Sequence, residues 1–203
     1  MPKPDVSVER KAQILAAASR IFLKKGFETA RMEEIAEEAG LSIGGLYWYF
    51  KSKEEVIFSL MDELINSDLN EQRALLEAPG SVMERLTQYV RSSVPSAQTL
   101  SPLFSDFYAL GGRDPRVQVR FQTYFYTYRQ IIAALLAQGI ARGEFRSFDV
   151  NHGAILFAAL YEGMLELAML DPENINGIIE LSHSMDILMQ GMKPDGGINA
   201  KTN

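Results

Sequence analysis

Apolar residues recur with the period of an α-helix along almost the whole chain. Ile14, Leu15, Ala18, Ile21 and Phe22 make one stripe, which predicts a first helix over 8–25 with Ser7 or Asp5 as cap and Glu9 in its first turn. Arg20, Lys24 and Lys25 close it, where cations complement the helix dipole or reach flanking phosphates. Met32, Ile35, Ala36 and Ala39 then fall at i, i+3, i+4 and i+7, the apolar face of a second, short helix. Gly40 ends it, because the residue past a helix end adopts a left-handed backbone that glycine takes cheaply. Leu41 follows as a buried hinge residue and Ser42 as the N-cap of a third short helix. In that helix Leu46 and Phe50 face inward, leaving Ile43, Gly44, Gly45, Tyr47 and Tyr49 outside.

The remaining pattern predicts six further helices. The first runs over 53–77, with apolar positions 56, 57, 60, 61, 64 and 65. After Pro79 and Gly80, Ser81 and Glu84 form a capping box for a helix burying Val82, Leu86, Tyr89, Val90 and Val94. Pro95 is expected to end it, and Ser101 with Pro102 to start another, which Gly111 and Gly112 stop. Asp114 and Pro115 open a long helix reaching about residue 142. Gly143, Glu144 and Phe145 turn the chain, Asp149 caps a helix to residue 170, and a last helix spans about 176–190. No strand pattern interrupts this series, so the fold class is all-α.

Two short helices joined by a glycine-containing turn form a helix-turn-helix, whose second helix can enter a DNA major groove. Gly44 and Gly45 each cost that helix about 1 kcal/mol relative to alanine. Close approach to a phosphate backbone would offset the cost, because free amides at the helix start then meet the anion. Tyr47 and Tyr49 can donate to phosphates while their rings lie on sugars or thymine methyls, and Lys51 and Lys53 add charge. The plainer alternative makes Tyr47, Trp48, Tyr49 and Phe50 packing residues between domains, a role that suits Trp48 and Phe50 better than the tyrosines.

Charge supports a DNA-touching head. The formal net charge is -6, yet residues 1–53 hold nine Lys or Arg against seven Asp or Glu, whereas 54–203 hold eleven against nineteen. Glu33, Glu34, Glu37 and Glu38 sit beside the proposed contact helix and read as structural, two of them favoured by the dipole of the helix start. With no cysteine, disulfides, thiolate metal sites and thiol redox sensing are excluded, which suits a cytoplasmic protein. The apolar run at 14–18 is too short for a signal peptide. The stretch 154–170, interrupted by Glu162 and Glu166, is expected to fall short of the ~20 residues that cross a bilayer.

The run 26–56 resembles the DNA-binding domain of the TetR (tetracycline repressor)/AcrR family of bacterial regulators. The resemblance rests on Gly26, Phe27, Ile35, Ala36, Ala39, Gly40, Leu41, Ser42, Gly44, Tyr47, Phe50 and Lys53, which fill the family's slots in order. Members carry Thr or Ser just ahead of the first motif helix. This chain has Ala30 and Arg31 there, leaving Thr29 as the nearest hydroxyl. The resemblance implies a homodimer whose ligand-binding body shifts the DNA-binding heads.

Three site predictions follow. DNA contacts fall on Thr29, Arg31, Ser42, Ile43, Gly44, Gly45, Tyr47, Trp48, Tyr49, Lys51 and Lys53, with base readout by Ile43, Gly45 and Tyr47. Eight of the twenty aromatic residues lie between 104 and 128. Such density with a few hydroxyls suits an apolar pocket, expected to involve Phe104, Phe107, Tyr108, Phe121, Tyr124, Phe125, Tyr128, Phe157 and Tyr161. The last two helices carry more apolar surface than one body requires, which predicts a dimer face of Ala154, Ala158, Ala159, Gly163, Ile178, Ile179, Met185 and Met189.

The expected organisation is a DNA-binding head at 1–52, a helical ligand-binding and dimerisation domain at 53–192 and a disordered tail at 193–203. No catalytic motif is present, and His152 and His183 lack neighbours at metal-ligand spacing, so neither an enzyme nor a metal or cofactor protein is expected. The reading is a cytoplasmic, ligand-responsive repressor of a palindromic double-stranded operator, released by a hydrophobic or aromatic effector and independent of membranes. The alternative is a helical small-molecule carrier or scaffold that does not touch DNA.

Overall fold

The computed structural model describes residues 6–194, which form eight helices and, among the described residues, no strand. They are α1 (Val6–Thr29), α2 (Met32–Glu38), α3 (Ile43–Tyr49), α4 (Lys53–Ala74), α5 (Val82–Gly111), α6 (Pro115–Ala141), α7 (Val150–Leu170) and α8 (Gly177–Met192). Asp5 and the residues from 195 onward, including most of the expected tail, lie outside the described residues, as does the side chain of Ile178.

Two compact units emerge, and they do not follow the 1–52 and 53–192 division. The first comprises the residues up to Asp68 together with Leu100–Tyr124. The second comprises Leu69–Thr99 together with the residues from Phe125 on. Helices α4, α5 and α6 therefore each contribute to both.

In the first unit α1 packs on α2 and α2 on α3. Ile14, Ala18, Phe22, Ile35, Leu46, Phe50, Val56, Leu60, Met61, Leu103, Phe107 and Val117 are all closed off from solvent, so the amphipathic stripes do meet in one core. Helix α1 is broken at Gly26, which has φ 73° and ψ 167°. Ser7 lies inside α1 rather than ahead of it. In the second unit the core is Val82, Leu86, Tyr89, Val90, Val94, Tyr128, Ile132, Leu135, Leu136, Phe145, Phe157, Leu181 and Met185, with α7 packed on α8.

Local capping chemistry sets most helix ends. The Ser81 amide donates to Glu84 Oε2 at 2.9 Å and the Glu84 amide to Ser81 Oγ at 3.2 Å, a complete capping box. Asp114 Oδ1 accepts the Arg116 amide at 2.8 Å behind Pro115, and Asp149 Oδ1 accepts the Asn151 amide at 2.8 Å. Gly139 exists for a neighbour: a Cβ there would lie 2.2 Å from the buried Phe145 ring.

Pro95 and Pro102 do not divide α5, which runs unbroken for 30 residues. Each interior proline removes one ladder hydrogen bond at a cost of about 3 kcal/mol. The buried side chains on both sides, Val90 and Val94 before and Leu103 and Phe107 after, hold the helix path regardless. Thr99 Oγ1 also donates to the Pro95 carbonyl at 2.9 Å.

Helix α7 corrects the membrane estimate. It starts at Val150, is 21 residues long and reaches a mean hydropathy of 1.6, so by length and composition it could cross a bilayer. Only 33% of that apolar window is buried inside the protomer.

Candidate nucleic-acid interface

Helix α2 begins without a hydroxyl cap. Its N-cap is Arg31, whose amide donates to Glu34 Oε2 at 3.1 Å, the glutamate half of a capping box. Glu34 also pairs with Lys25, and Glu38 accepts from Arg20 Nε at 2.6 Å. The Lys25 ammonium, then the Arg31 amide, hold the Glu34 carboxyl below its ordinary range. Two of the four acidic residues beside the contact helix are thus occupied in holding α2 against α1.

At the turn Gly40 has φ 66°, and the Leu41 amide closes on the Ala36 carbonyl at 2.8 Å. Leu41 is half-buried rather than interior. Ser42 Oγ then accepts the Gly45 amide at 3.1 Å and caps α3. A Cβ on Gly45 would stand 3.3 Å from that hydroxyl, so this glycine leaves room for the cap, whereas Gly44 faces open space.

Helix α3 is seated by Leu46, at 0% exposure, and followed by buried Phe50. Its other face is open: Ile43 is 38% exposed, Tyr47 42% and Trp48 67%. Trp48 is therefore not a packing residue within the protomer. It stands edge-on to half-buried Tyr49 with ring centroids 4.6 Å apart.

The two lysines carry fold duties. Lys51 Nζ donates to the carbonyls of Tyr47 and Trp48 at 2.8 and 3.2 Å, closing the C-terminus of α3. Lys53 Nζ, half-buried, donates to the carbonyls of Glu28 and Ala30 at 2.9 and 3.0 Å. The third proton of the ammonium is left for a phosphate.

The other predicted sites are rearranged. Of the aromatic residues proposed for a pocket, Phe104, Phe107, Tyr108, Phe121 and Tyr124 belong to the first unit and Phe125, Tyr128, Phe157 and Tyr161 to the second. Tyr108 stacks on Phe121 at 4.8 Å, and Tyr124 donates to Asp68 Oδ2 at 2.7 Å. In the second unit Tyr161 donates to Ser93 Oγ at 2.9 Å and lies 6.1 Å from the Tyr89 ring, whose hydroxyl accepts from Gln72 Nε2 at 3.0 Å.

Of the predicted dimer face, Ala154, Met185 and Met189 are closed inside the protomer, because they sit on the sides of α7 and α8 that complete its core. Ala159 and Ile179 are exposed, Ala158 and Gly163 half-exposed. The large apolar residues left open on these helices are Ile155, Leu156, Leu167, Leu170, Ile179 and Ile187, of which Ile179 belongs to the predicted face. His152 is exposed, with Nδ1 3.5 Å from Asp149 Oδ2 at the start of α7.

Sequence reasoning missed the buried polar residues. Arg85 is 3% exposed, and its guanidinium donates to the carbonyls of Leu75, Leu76 and Ser81 and to Gln138 Oε1 at 2.5, 3.2, 3.4 and 2.9 Å. Its position one residue before Leu86 was the available signal, since it falls on the stripe side of α5.

A capped helix standing open beyond a glycine turn, seated on a three-helix core, defines a helix-turn-helix DNA-binding regulator. Comparison with known proteins agrees. Residues 14–60 match the family described as bacterial regulatory proteins, tetR family, and residues 82–178 match the BetI-type transcriptional repressor C-terminal family. The chain belongs to the TetR family of transcriptional regulators.

Among its relatives is the uncharacterized HTH-type transcriptional regulator YfiR of Bacillus subtilis, 26% identical over 90% of this chain and 91% of the relative. Similar folds include the SmeT–triclosan complex, with a TM-score of 0.79, 20% identity and coverage of 93% of each chain. Another is a transcriptional regulator from Saccharomonospora viridis in complex with choline, with a TM-score of 0.80, 19% identity and coverage of 90% of this chain and 96% of that one.

Proposed function

We propose that this regulator is a cytoplasmic repressor, without enzymatic activity, that binds a roughly palindromic operator as a homodimer and is released by a hydrophobic or aromatic small molecule. The observation that carries the reading is the open face of α3, where Ile43, Tyr47 and Trp48 face solvent above buried Leu46. Burial of that seat fixes the helix, and the apolar and aromatic face can read thymine methyls and groove shape. Gly44 keeps one side of the helix bare for close approach.

The open stripe of α7 and α8 supports the dimer. A membrane role for α7 is disfavoured by Glu162 and Glu166 at its middle, since acidic residues there cost about 2.5–3.5 kcal/mol each in a bilayer. A second copy, in contrast, would leave those carboxylates at a wet rim. Two heads would meet successive major grooves about 34–36 Å apart or at a multiple of that spacing.

An effector site within the second unit would draw on the buried Tyr89, Phe157 and Tyr161 for apolar walls and on Gln72 and Ser93 for polar handles. The solved relatives bound to triclosan and to choline support a small-molecule effector without specifying this one. Helix α4 runs without a break from the first unit into the second, so a ligand preferring one α4 placement would bias DNA affinity.

The test is selection of duplexes from a random-sequence library, followed by affinity against salt. Affinity falling steeply between about 50 and 200 mM salt is expected, as displaced counterions dictate. Absence of duplex binding at every salt would leave the carrier reading.

A further inference from the structure

The segment joining α1 to α2 is held from both sides by opposite charges. Gly26 interrupts α1, and the Phe27 amide donates to Asp106 Oδ2 at 3.0 Å. The two residues are 79 positions apart in the chain. A Cβ on Gly26 would lie 3.4 Å from the same oxygen, so the glycine serves both the backbone turn and the approach of the carboxylate. Across the segment, Lys53 Nζ donates to the carbonyls of Glu28 and Ala30. An anion takes the segment's donor and a cation its acceptors.

Apolar contacts support this clasp. The Phe27 ring meets Phe22 edge-on at 4.9 Å and Phe107 at 4.8 Å, and Phe107 has no exposed surface. Among the described residues no cation pairs with the half-buried Asp106. A second tie joins α6 to α4, with the guanidiniums of Arg116 and Arg120 over the Phe58 ring at 4.7 and 4.9 Å and Arg120 Nε on Asp62 Oδ1 at 2.8 Å. The end of α5 and the start of α6 are thus built into the DNA-binding unit.

We infer that Asp106 and Lys53 are positioning residues for DNA recognition: by clasping the 27–30 segment between them they fix how α2 and α3 are presented relative to α5. The inference rests on the DNA-binding reading above. It assigns to Lys53 a backbone role besides any phosphate contact, and to Asp106 a role although it lies outside the helix-turn-helix. Two heads held at fixed presentation discriminate half-site spacing, and loosening the clasp relaxes that discrimination.

The experiment compares full-length wild type with Asp106→Ala, Asp106→Asn and Lys53→Met on a duplex selected by the wild type and on the same duplex with one base pair inserted between its half-sites. Wild type should prefer the selected spacing. Asp106→Ala and Lys53→Met should lower that preference by about tenfold, the change that one charge-assisted hydrogen bond supports. Asp106→Asn keeps an oxygen acceptor and should retain most of it. A merely structural role would lower the melting temperature and leave the spacing preference intact, and that result overturns the inference. So does an Asp106→Ala protein that fails to fold, since a positioning role requires the unit to survive its loss. If wild type selects no duplex, the DNA-binding reading falls first and this inference with it.

Discussion

Replacing Leu167 on α7 tests the proposed dimer and its link to DNA binding together. Leu167 is 51% exposed in the protomer. Fully burying a leucine is worth about 1.5–3 kcal/mol, so covering its exposed half contributes about 0.8–1.5 kcal/mol. A twofold interface uses the residue twice, which gives about 1.5–3 kcal/mol per dimer. Leu167→Ala should therefore raise the dimer Kd by about ten- to a hundredfold. Leu167→Glu should do more, because two carboxylates leaving water cost several kcal/mol each. A dimer of nanomolar Kd is held by about 12 kcal/mol, so most of that association is lost and the protein should sediment as a monomer at micromolar concentration.

Val119→Glu is the control, since Val119 is 57% exposed but lies on α6 in the first unit, whereas the α7 and α8 stripe belongs to the second. Sedimentation equilibrium at several protein concentrations reads the constants directly. The monomeric variant should keep its helical circular dichroism and lose tight binding to a two-half-site duplex. Leu167→Glu remaining dimeric, or Val119→Glu dissociating equally, would refute the assignment of this face.

Trp48→Ala should leave the melting temperature unchanged and weaken duplex binding in gel shifts, whereas Leu46→Ala should destabilise the first unit by about 2–5 kcal/mol; equal effects on stability would remove the distinction between seat and face. Arg85→Met should cost about 2–4 kcal/mol in urea unfolding at fixed protein concentration, because it leaves the carbonyls at the end of α4 without their donor while relieving the burial of a charge; a change under about 0.5 kcal/mol would show that this grip is dispensable. Glu84 is held below the ordinary carboxylate range by the Ser81 amide and hydroxyl, and Asp149 by the amides of His152 and Asn151. Depressed folded-state pKa values mean that their contribution is full above the unfolded value near about pH 4 and is lost as pH falls through the folded values. Glu84→Gln should flatten part of that acid loss, and superimposable unfolding midpoints of variant and wild type from pH 6 to 3 would contradict it.

The sequence was most informative where one residue's environment is decided by neighbours a few positions away. The box of Ser81 and Glu84, the left-handed Gly40 and the Ser42 cap are each completed within four residues, and the structure has each of them. The stripe of Val82, Leu86, Tyr89, Val90 and Val94 was legible because helical period and burial coincide. Local chemistry also misled, since Pro95 and Pro102 read as breaks until distant side chains seal α5 on both sides of them.

Partners far apart in sequence belonged to the tertiary structure alone. No periodicity could pair Asp106 with the Phe27 amide, or Lys53 with the Glu28 and Ala30 carbonyls. Nor could it divide the apolar residues of α7 and α8 into Ala154, Met185 and Met189 inside and Leu156, Leu167 and Ile187 outside. Hydrophobicity fixes that a side chain leaves water but is indifferent to which surface covers it; the covering surface depends on where the other helices lie, and that is set by packing across the whole unit.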